Sequence, residues 1–482
     1  MYPWPIKPGW EPLPHQRETT AFLVQNPKAF CFNEMGTMKT LSALWAADFT
    51  MQWEREHGKE CRCLIVAPLS ILRVVWETSI FTHFMGTRRA VVLHGSAAKR
   101  RALLAEQVDF YIINPDGITI GVPDRSGSPL TGLAADIAAR EDIRCVIVDE
   151  ASAYRSSQTR RHKAARVLLG ARKWLWLLTG TPTPNGPQDA YGLAKLMGLT
   201  SESFTSYKSR VMYRPNGERF KWLPRDGSER TVNALLTPAI RFSADFLNLP
   251  PCMPEQREVS FSKEQADAYK ALKKFAVAMM DSGDMVSAVN QAALRMKLIQ
   301  VAAGAVYGPE KDGVKPSYEL NPSARLGEVR SIIEETERKI IIFAPLTNVL
   351  NMLQANIKPA KDDAVQWETE IVNGETPLGR RGDIFRRFGD PRSNLRVLFL
   401  DPATVSHGIN ELVSASVAIW YAPTDKSENY QQGNKRIHRP GQIGPTKIIQ
   451  LVSTSTEKEI YRRLERQENM QDLVLRLAEE GR

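Results

Sequence analysis

Long apolar runs are missing from this 482-residue chain. Its longest, such as "CVIVDE" and "RKIIIFA", are cut by charge well before the roughly 18 residues that a membrane span needs, so no helical membrane span is expected. Cysteine is scarce, at five residues in scattered positions. Cys61 and Cys63, in "CRC", have the wrong spacing for a zinc pair and no distal partner. Buried, reduced thiols in a cytosol are expected instead. No secretory leader is expected either: "MYPWPIKPGWEPLPHQ" places prolines and tryptophans where an export signal has a cationic start and an apolar core. There is no low-complexity tract and no short-period repeat.

What the chain does have is length for two or three domains and an excess of positive charge. Hydrophobic residues make up 43% and charged residues 24%, with a formal charge of +10. That balance favours a polyanionic partner, a solvated basic surface being the other reading.

Short apolar stretches recur through the first two hundred residues: "KAFCFN", "CLIVAP", "DFYIINP", "CVIVDE" and "KWLWLLTG". Each is apolar without alternation, as in a strand covered on both faces, and each is separated from the next by enough chain for a helix. The pattern predicts a parallel α/β lobe over residues 1–200. Helical periodicity follows, as in "KEQADAYKALKKFAVAMM" and "NQAALRMKLIQVAAG", predicting a mostly helical insertion over 201–320. From "RKIIIFAP" the strand rhythm resumes through "RVLFLDP", "SVAIWYAP" and "TKIIQLV", predicting a second parallel α/β lobe over 321–482.

Four stretches carry candidate chemistry. "CFNEMGTMKTLSALW" places a glycine-bearing loop between a strand and a helix whose apolar face holds Leu41, Leu44, Trp45 and Phe49. Phosphate cradling needs inward backbone N–H groups, a lysine and a magnesium hydroxyl. Gly36, Lys39 and Thr40 supply these, although Met38 stands where such loops carry glycine. "CVIVDEASAYR" ends a buried strand in Asp149 and Glu150, at the edge where open α/β sheets bind ligands. Asp149 suits Mg²⁺ and Glu150 an attacking water, an acidic helix start being the plainer reading. "LTGTPTPNGPQDAYGL" carries Thr179, Gly180 and Thr181 just after a strand. "NYQQGNKRIHRPGQ" offers Gln432, Arg436 and Arg439, with the two arginines spaced for one helical face and able to stabilise a transferring γ-phosphate.

Taken together and in this order, these stretches resemble the Swi/Snf-type members of helicase superfamily two. The resemblance runs from about Leu13 to Leu464 and includes "LPHQRETTAFL", "LTGTPTPNGPQDAYGLAKLM" with Asn185, "IRFSADFLNLPP" with Arg241, "KIIIFAPLTNVLNML", "VSHGINELVSASVAIWYAP" and "QQGNKRIHRPGQ". It implies two RecA-like lobes in tandem and ATP with Mg²⁺ as cofactors. Nucleotide contacts are implied at Gln16 (the adenine reader), Asn33, Glu34, Met35, Gly36, Thr37, Met38, Lys39 and Thr40, and at Gly408 of the second lobe, with the nucleotide lying between the lobes. The nucleic-acid contacts it implies are Pro68, Ser70, Asn114, Thr181, Thr404 and Asn410. Ser152 replaces the family's usual histidine, and Ser406-His407 its usual small pair. The implied activity is ATP-dependent translocation on double-stranded DNA by a minimal, cytoplasmic, monomeric motor of bacterial or viral type, with a separate protein for targeting. A fork-remodelling or strand-separating helicase on branched DNA or RNA is the second reading, and a non-hydrolysing DNA-binding scaffold the third.

Overall fold

A computed structural model of the chain describes residues 2–123, 128–215, 222–243, 249–281, 288–308, 310, 316–359, 366–404 and 411–480. Its contacts divide it into two compact units, Met1–Phe246 with Gln467–Arg482, and Leu247–Arg466. The segment expected as a separate helical insertion is shared between them: helices Phe204–Val211 and Ser228–Leu235 lie in the first unit, Lys263–Asp281 and Ala288–Ala303 in the second.

The first unit holds β1 (Lys28–Cys31), β2 (Arg62–Val66), β3 (Ala90–Val92), β4 (Phe110–Ile113), β5 (Ile143–Asp149), β6 (Trp174–Leu178), the paired β7 (Met212–Tyr213) and β8 (Leu223–Pro224), and β9 (Ala239–Ile240). Seven of these form a parallel sheet in the order β3-β4-β2-β5-β6-β1-β9. The second unit holds β10 (Cys252–Glu258), the hairpin β11 (Ala305–Tyr307) and β12 (Ser317–Glu319), then β13 (Lys339–Phe343), β14 (Glu368–Val372), β15 (Leu395–Leu400), β16 (Ala415–Trp420) and β17 (Thr446–Val452). Its sheet is also parallel, in the order β10-β17-β16-β13-β15-β14. The chain is therefore two parallel α/β lobes, as its strand rhythm predicts.

The unalternating stretches became central strands for the expected reason. Side chains on both faces of β5 and β6 are buried, from Cys145 to Val148 and from Leu175 to Leu178, because helices cover both sides of such a sheet. Each large apolar side chain buried in this way contributes about 1.5–3 kcal/mol. Several strands escape that reading. β3 and β9 are too short to show a pattern, and β10, "CMPEQRE", is polar and half exposed at the sheet edge. β14 and the β11–β12 hairpin are likewise partly exposed or brief.

Sheet order places the motifs. Because β5, β6 and β1 are neighbours, the segments leaving their C-terminal ends emerge side by side. These are Asp149-Glu150, Thr179-Gly180-Thr181 and the loop to Lys39. Among the described residues the five cysteines form no disulfide; Cys252 is only half-buried, unlike the other four.

Candidate ATP site

The loop after β1 is anchored from three sides. Asn33 donates from Nδ2 to the Thr19 hydroxyl of helix α1 (Pro14–Gln25) at 2.8 Å. Its Oδ1 accepts from the Phe242 N–H at 3.0 Å. Glu34 pairs with the buried Arg241 at 3.1 Å, and a ring nitrogen of His15 lies 3.0 Å from the Thr37 carbonyl. Thr37 closes the loop on itself, its hydroxyl donating to the Glu34 carbonyl at 2.8 Å. Met35 is half-buried within it. His15, Thr19 and Phe242 give no sign of this task in the sequence, because their partners lie on other elements.

Helix α2 (Lys39–Glu56) starts on this loop. Gly36 has φ 90° and Met38, the helix cap, has φ 55° and ψ 38°. Met38 is thus left-handed, at a cost of about 1–2 kcal/mol for a side chain bearing a Cβ, and it is 39% exposed. Lys39 is buried, and its ammonium donates to the Asn33 carbonyl at 3.5 Å. A Cβ added at Gly180 would lie 3.9 Å from that ammonium and 3.7 Å from the Asn33 carbonyl. The Thr-Gly-Thr segment therefore closes on the lysine. Thr181 is buried, its N–H donating to the Thr179 hydroxyl at 3.1 Å.

Asp149 and Glu150 are both buried. Asp149 accepts from the Trp76 indole at 3.1 Å and from the Glu150 N–H at 3.0 Å. Burial raises its pKa above the usual carboxylate range, the neighbouring Glu150 charge adds to that, and Lys39 opposes it. Glu150 has φ 50°, a second left-handed side chain at this edge, and such strain concentrates at functional sites. Trp76 carries no motif signal, and sequence reasoning missed it.

Among the buried amides of the described residues that keep an unsatisfied atom, two belong to the motifs. Gln16 is 1% exposed; its Oε1 accepts from the Leu13 N–H at 2.8 Å, capping α1, while its Nε2 has no hydrogen-bond partner. In the second unit Gln432, on helix Ser427–Ile437, is fully buried with both amide atoms unsatisfied. A buried polar group without a partner costs about 1–3 kcal/mol, so each is a candidate for a ligand contact. Arg436 is buried on the same helix. The helix ends at Ile437 with His438 as its cap, so Arg439 lies beyond it and the two arginines do not share a helical face. Burial pulls the Arg439 guanidinium below its ordinary pKa, with Glu411 opposing.

The residues present fit a nucleotide with its cation. Lys39 and the unpartnered Gln16 Nε2 offer donors, and Thr40 and Asp149 offer hard oxygens. Among the described residues no group of three or more His, Cys, Asp or Glu side chains is placed to hold a metal ion; Mg²⁺ takes most of its shell from phosphate and water.

The expected nucleic-acid residues of the first unit follow strand ends on the same sheet edge. Pro68 and the exposed Ser70 follow β2, Asn114 follows β4 and Thr181 follows β6. Asn114 is buried, and its Oδ1 accepts from Arg100 at 3.1 Å. In the second unit Thr404 donates its hydroxyl to the Asp401 carbonyl at 2.7 Å. Gly408 and Asn410, with Ser406 and His407, lie outside the described residues. Ser152 is buried, and its carbonyl accepts from the Arg155 guanidinium at 3.0 Å. Asn185 shapes its own turn, donating from its N–H and Nδ2 to Asp189 at 2.8 and 3.1 Å.

A family model for the SNF2-related domain matches residues 15–302, more than half the chain. The chain belongs to the SNF2-related family. It is a Swi/Snf-type ATPase of helicase superfamily two, in agreement with its motifs. This SNF2-related chain is 23% identical to a putative protein, p41, of Acyrthosiphon pisum secondary endosymbiont phage 1, over 96% of its own length and 98% of the phage protein. It is 24% identical to human chromodomain-helicase-DNA-binding protein 7, over 89% of this chain but 14% of that protein. It is also 24% identical to an uncharacterized ATP-dependent helicase of Mycoplasma genitalium, over 89% of this chain and 38% of the other. Among solved structures it resembles the Sulfolobus solfataricus SWI2/SNF2 ATPase core in complex with dsDNA, at 20% identity and a TM-score of 0.42, covering 98% of this chain and 95% of that one. Among the described residues no helix is long and apolar enough to cross a membrane.

Proposed function

We propose that this ATPase hydrolyses ATP to move along double-stranded DNA. The observation that carries the proposal is the convergence of Lys39, Gly180 and Asp149 on one sheet edge: the lysine ammonium lies beside Gly180 and offsets the Asp149 charge. In this reading Lys39 neutralises the β- and γ-phosphates and Glu150 orients the attacking water. Gln16 donates its free Nε2 proton to the adenine. Mg²⁺, held by Thr40 and Asp149, supplies charge neutralisation on the transferring phosphoryl group. Gln432, Arg436 and Arg439 of the second unit are proposed to stabilise the charge that develops there.

Duplex DNA as the track is supported by the net charge of +10 and by the alignment of Pro68, Ser70, Asn114 and Thr181 along one edge. Thr404 and Asn410 are proposed as the contacts of the second unit. Contacts of this polar, small kind address phosphates, so binding is expected to be sequence-tolerant and steeply salt-dependent. Met38 does not favour a scaffold that has lost catalysis, because the loop accommodates it in the left-handed region with Lys39 and Asn33 in place. Displacement of a third strand from a triplex, compared with separation of a plain duplex, tests the reading. ATP-dependent triplex displacement without duplex unwinding is expected; unwinding without triplex displacement would overturn it in favour of a strand-separating helicase.

A further inference from the structure

The β7–β8 pair carries a cationic cluster that the ATP site does not use. Helix Phe204–Val211 leads into it and is fixed by Tyr207, whose hydroxyl donates to the Pro187 carbonyl at 3.0 Å. Pro187 lies in the segment that continues from Thr181, so the helix before the pair is tied to a loop of the edge proposed to face DNA. The ammonium of Lys208 sits 4.1 Å from the centre of the Trp222 ring, and the Arg214 guanidinium 4.6 Å from the same centre. The two charges therefore lie within about one Debye length, ~10 Å at 0.1 M salt. Nearby, Arg225 approaches the exposed Tyr213 ring at 6.0 Å and donates to the Ser209 and Met212 carbonyls.

Among the described residues only Arg210 of this group has a carboxylate, Glu202 at 2.8 Å. Lys208, Arg214 and Arg225 have no carboxylate partner among the described residues. Burial lowers the Lys208 pKa, and the Arg214 charge lowers it further. Holding like charges together is unfavourable by itself, so the arrangement is best explained by an anion that satisfies both. Stacking on the tryptophan fixes both long side chains before binding and removes part of the entropy cost of ordering them. Since the ring already carries two cations, it is not a free platform for a base.

We propose that Lys208 and Arg214, braced on Trp222, bind the phosphate backbone of duplex DNA as a second contact beyond the residues of the sheet edge. The proposal rests on the reading of this protein as a DNA motor. A labelled blunt duplex titrated into the full chain over a range of salt concentrations, followed by fluorescence anisotropy, tests it. The Lys208→Ala/Arg214→Ala double variant should bind about three- to tenfold more weakly near 0.1 M salt, and the slope of log affinity against log salt should flatten by about 2, one unit for each lost phosphate contact. ATPase without DNA should not change. Lys208→Arg should bind as the parent does. The exposed Arg214→Gln alone should flatten the slope by about 1, which keeps the test decisive if the double variant misfolds. Unchanged affinity and slope in a parent that binds duplex would overturn the hairpin contact alone. A deficit confined to single strands would overturn it in favour of base stacking, whereas a parent with no salt-dependent duplex binding would overturn the DNA reading itself.

Discussion

The Lys39 ammonium meets the backbone carbonyl of Asn33 at 3.5 Å, and the Asn33 side chain ties that backbone to Thr19 and Phe242. The lysine hydrogen bond is long and weak, so it aims the ammonium without consuming it. Asn33→Ala removes the acceptor of the part-buried Phe242 N–H, a loss of about 1 kcal/mol. The expected outcome is a lower denaturation midpoint for the first unit together with a raised KM for ATP. An unchanged KM in a folded variant would show that the loop does not depend on this bridge.

Met38 occupies the left-handed region that glycine adopts freely. Met38→Gly should remove about 1–2 kcal/mol of strain while losing about 0.4–1 kcal/mol through the looser unfolded chain. A net gain near 0.5–1 kcal/mol is expected in urea denaturation, with ATPase retained or raised. A large loss of activity would assign the methionine side chain a role in turnover.

Asp149 carries a raised pKa, first from burial and then from Glu150. For a carboxyl whose folded pKa exceeds its unfolded value, the folded state holds more protons, so stability is lost as pH rises from the ordinary carboxylate range through the raised folded value. Glu150→Gln removes the neighbouring charge. It should stabilise the fold by about 1 kcal/mol near neutrality, flatten this pH dependence, and abolish turnover. Denaturation midpoints at acid and neutral pH check the first two; a variant destabilised more at neutral pH than at acid pH would contradict the electrostatic reading.

Much of both lobes was legible in the sequence because buried parallel strands cannot alternate. "CVIVDE" and "KWLWLLTG" announce themselves as β5 and β6 for that reason. β10 was not legible, since an edge strand with one open side tolerates Glu255, Gln256 and Arg257. The phosphate loop, the Asp-Glu strand end and the Thr-Gly-Thr turn were legible because their chemistry is local. What supports them was not: Trp76 reaches Asp149 across 73 positions, and Phe242 reaches Asn33 across 209. The same limit applies to Gln442 of "RPGQ", whose amide donates to the Val413, Ala415 and Ile437 carbonyls and so clips the end of its helix to β16. The spacing of Arg436 and Arg439 misled for a related reason, because His438 ends the helix between them.

The central claim is that the Lys39 edge of the first sheet powers a DNA motor. Steady-state ATPase measured without nucleic acid and with single-stranded DNA, duplex DNA or RNA, beside a Lys39→Ala control, tests it most directly. Turnover should be stimulated most by duplex DNA and lowered at least about a hundredfold by Lys39→Ala, the scale of removing one preorganised charge from a transferring phosphoryl group. Absence of nucleic-acid-stimulated, Lys39-dependent turnover would contradict it.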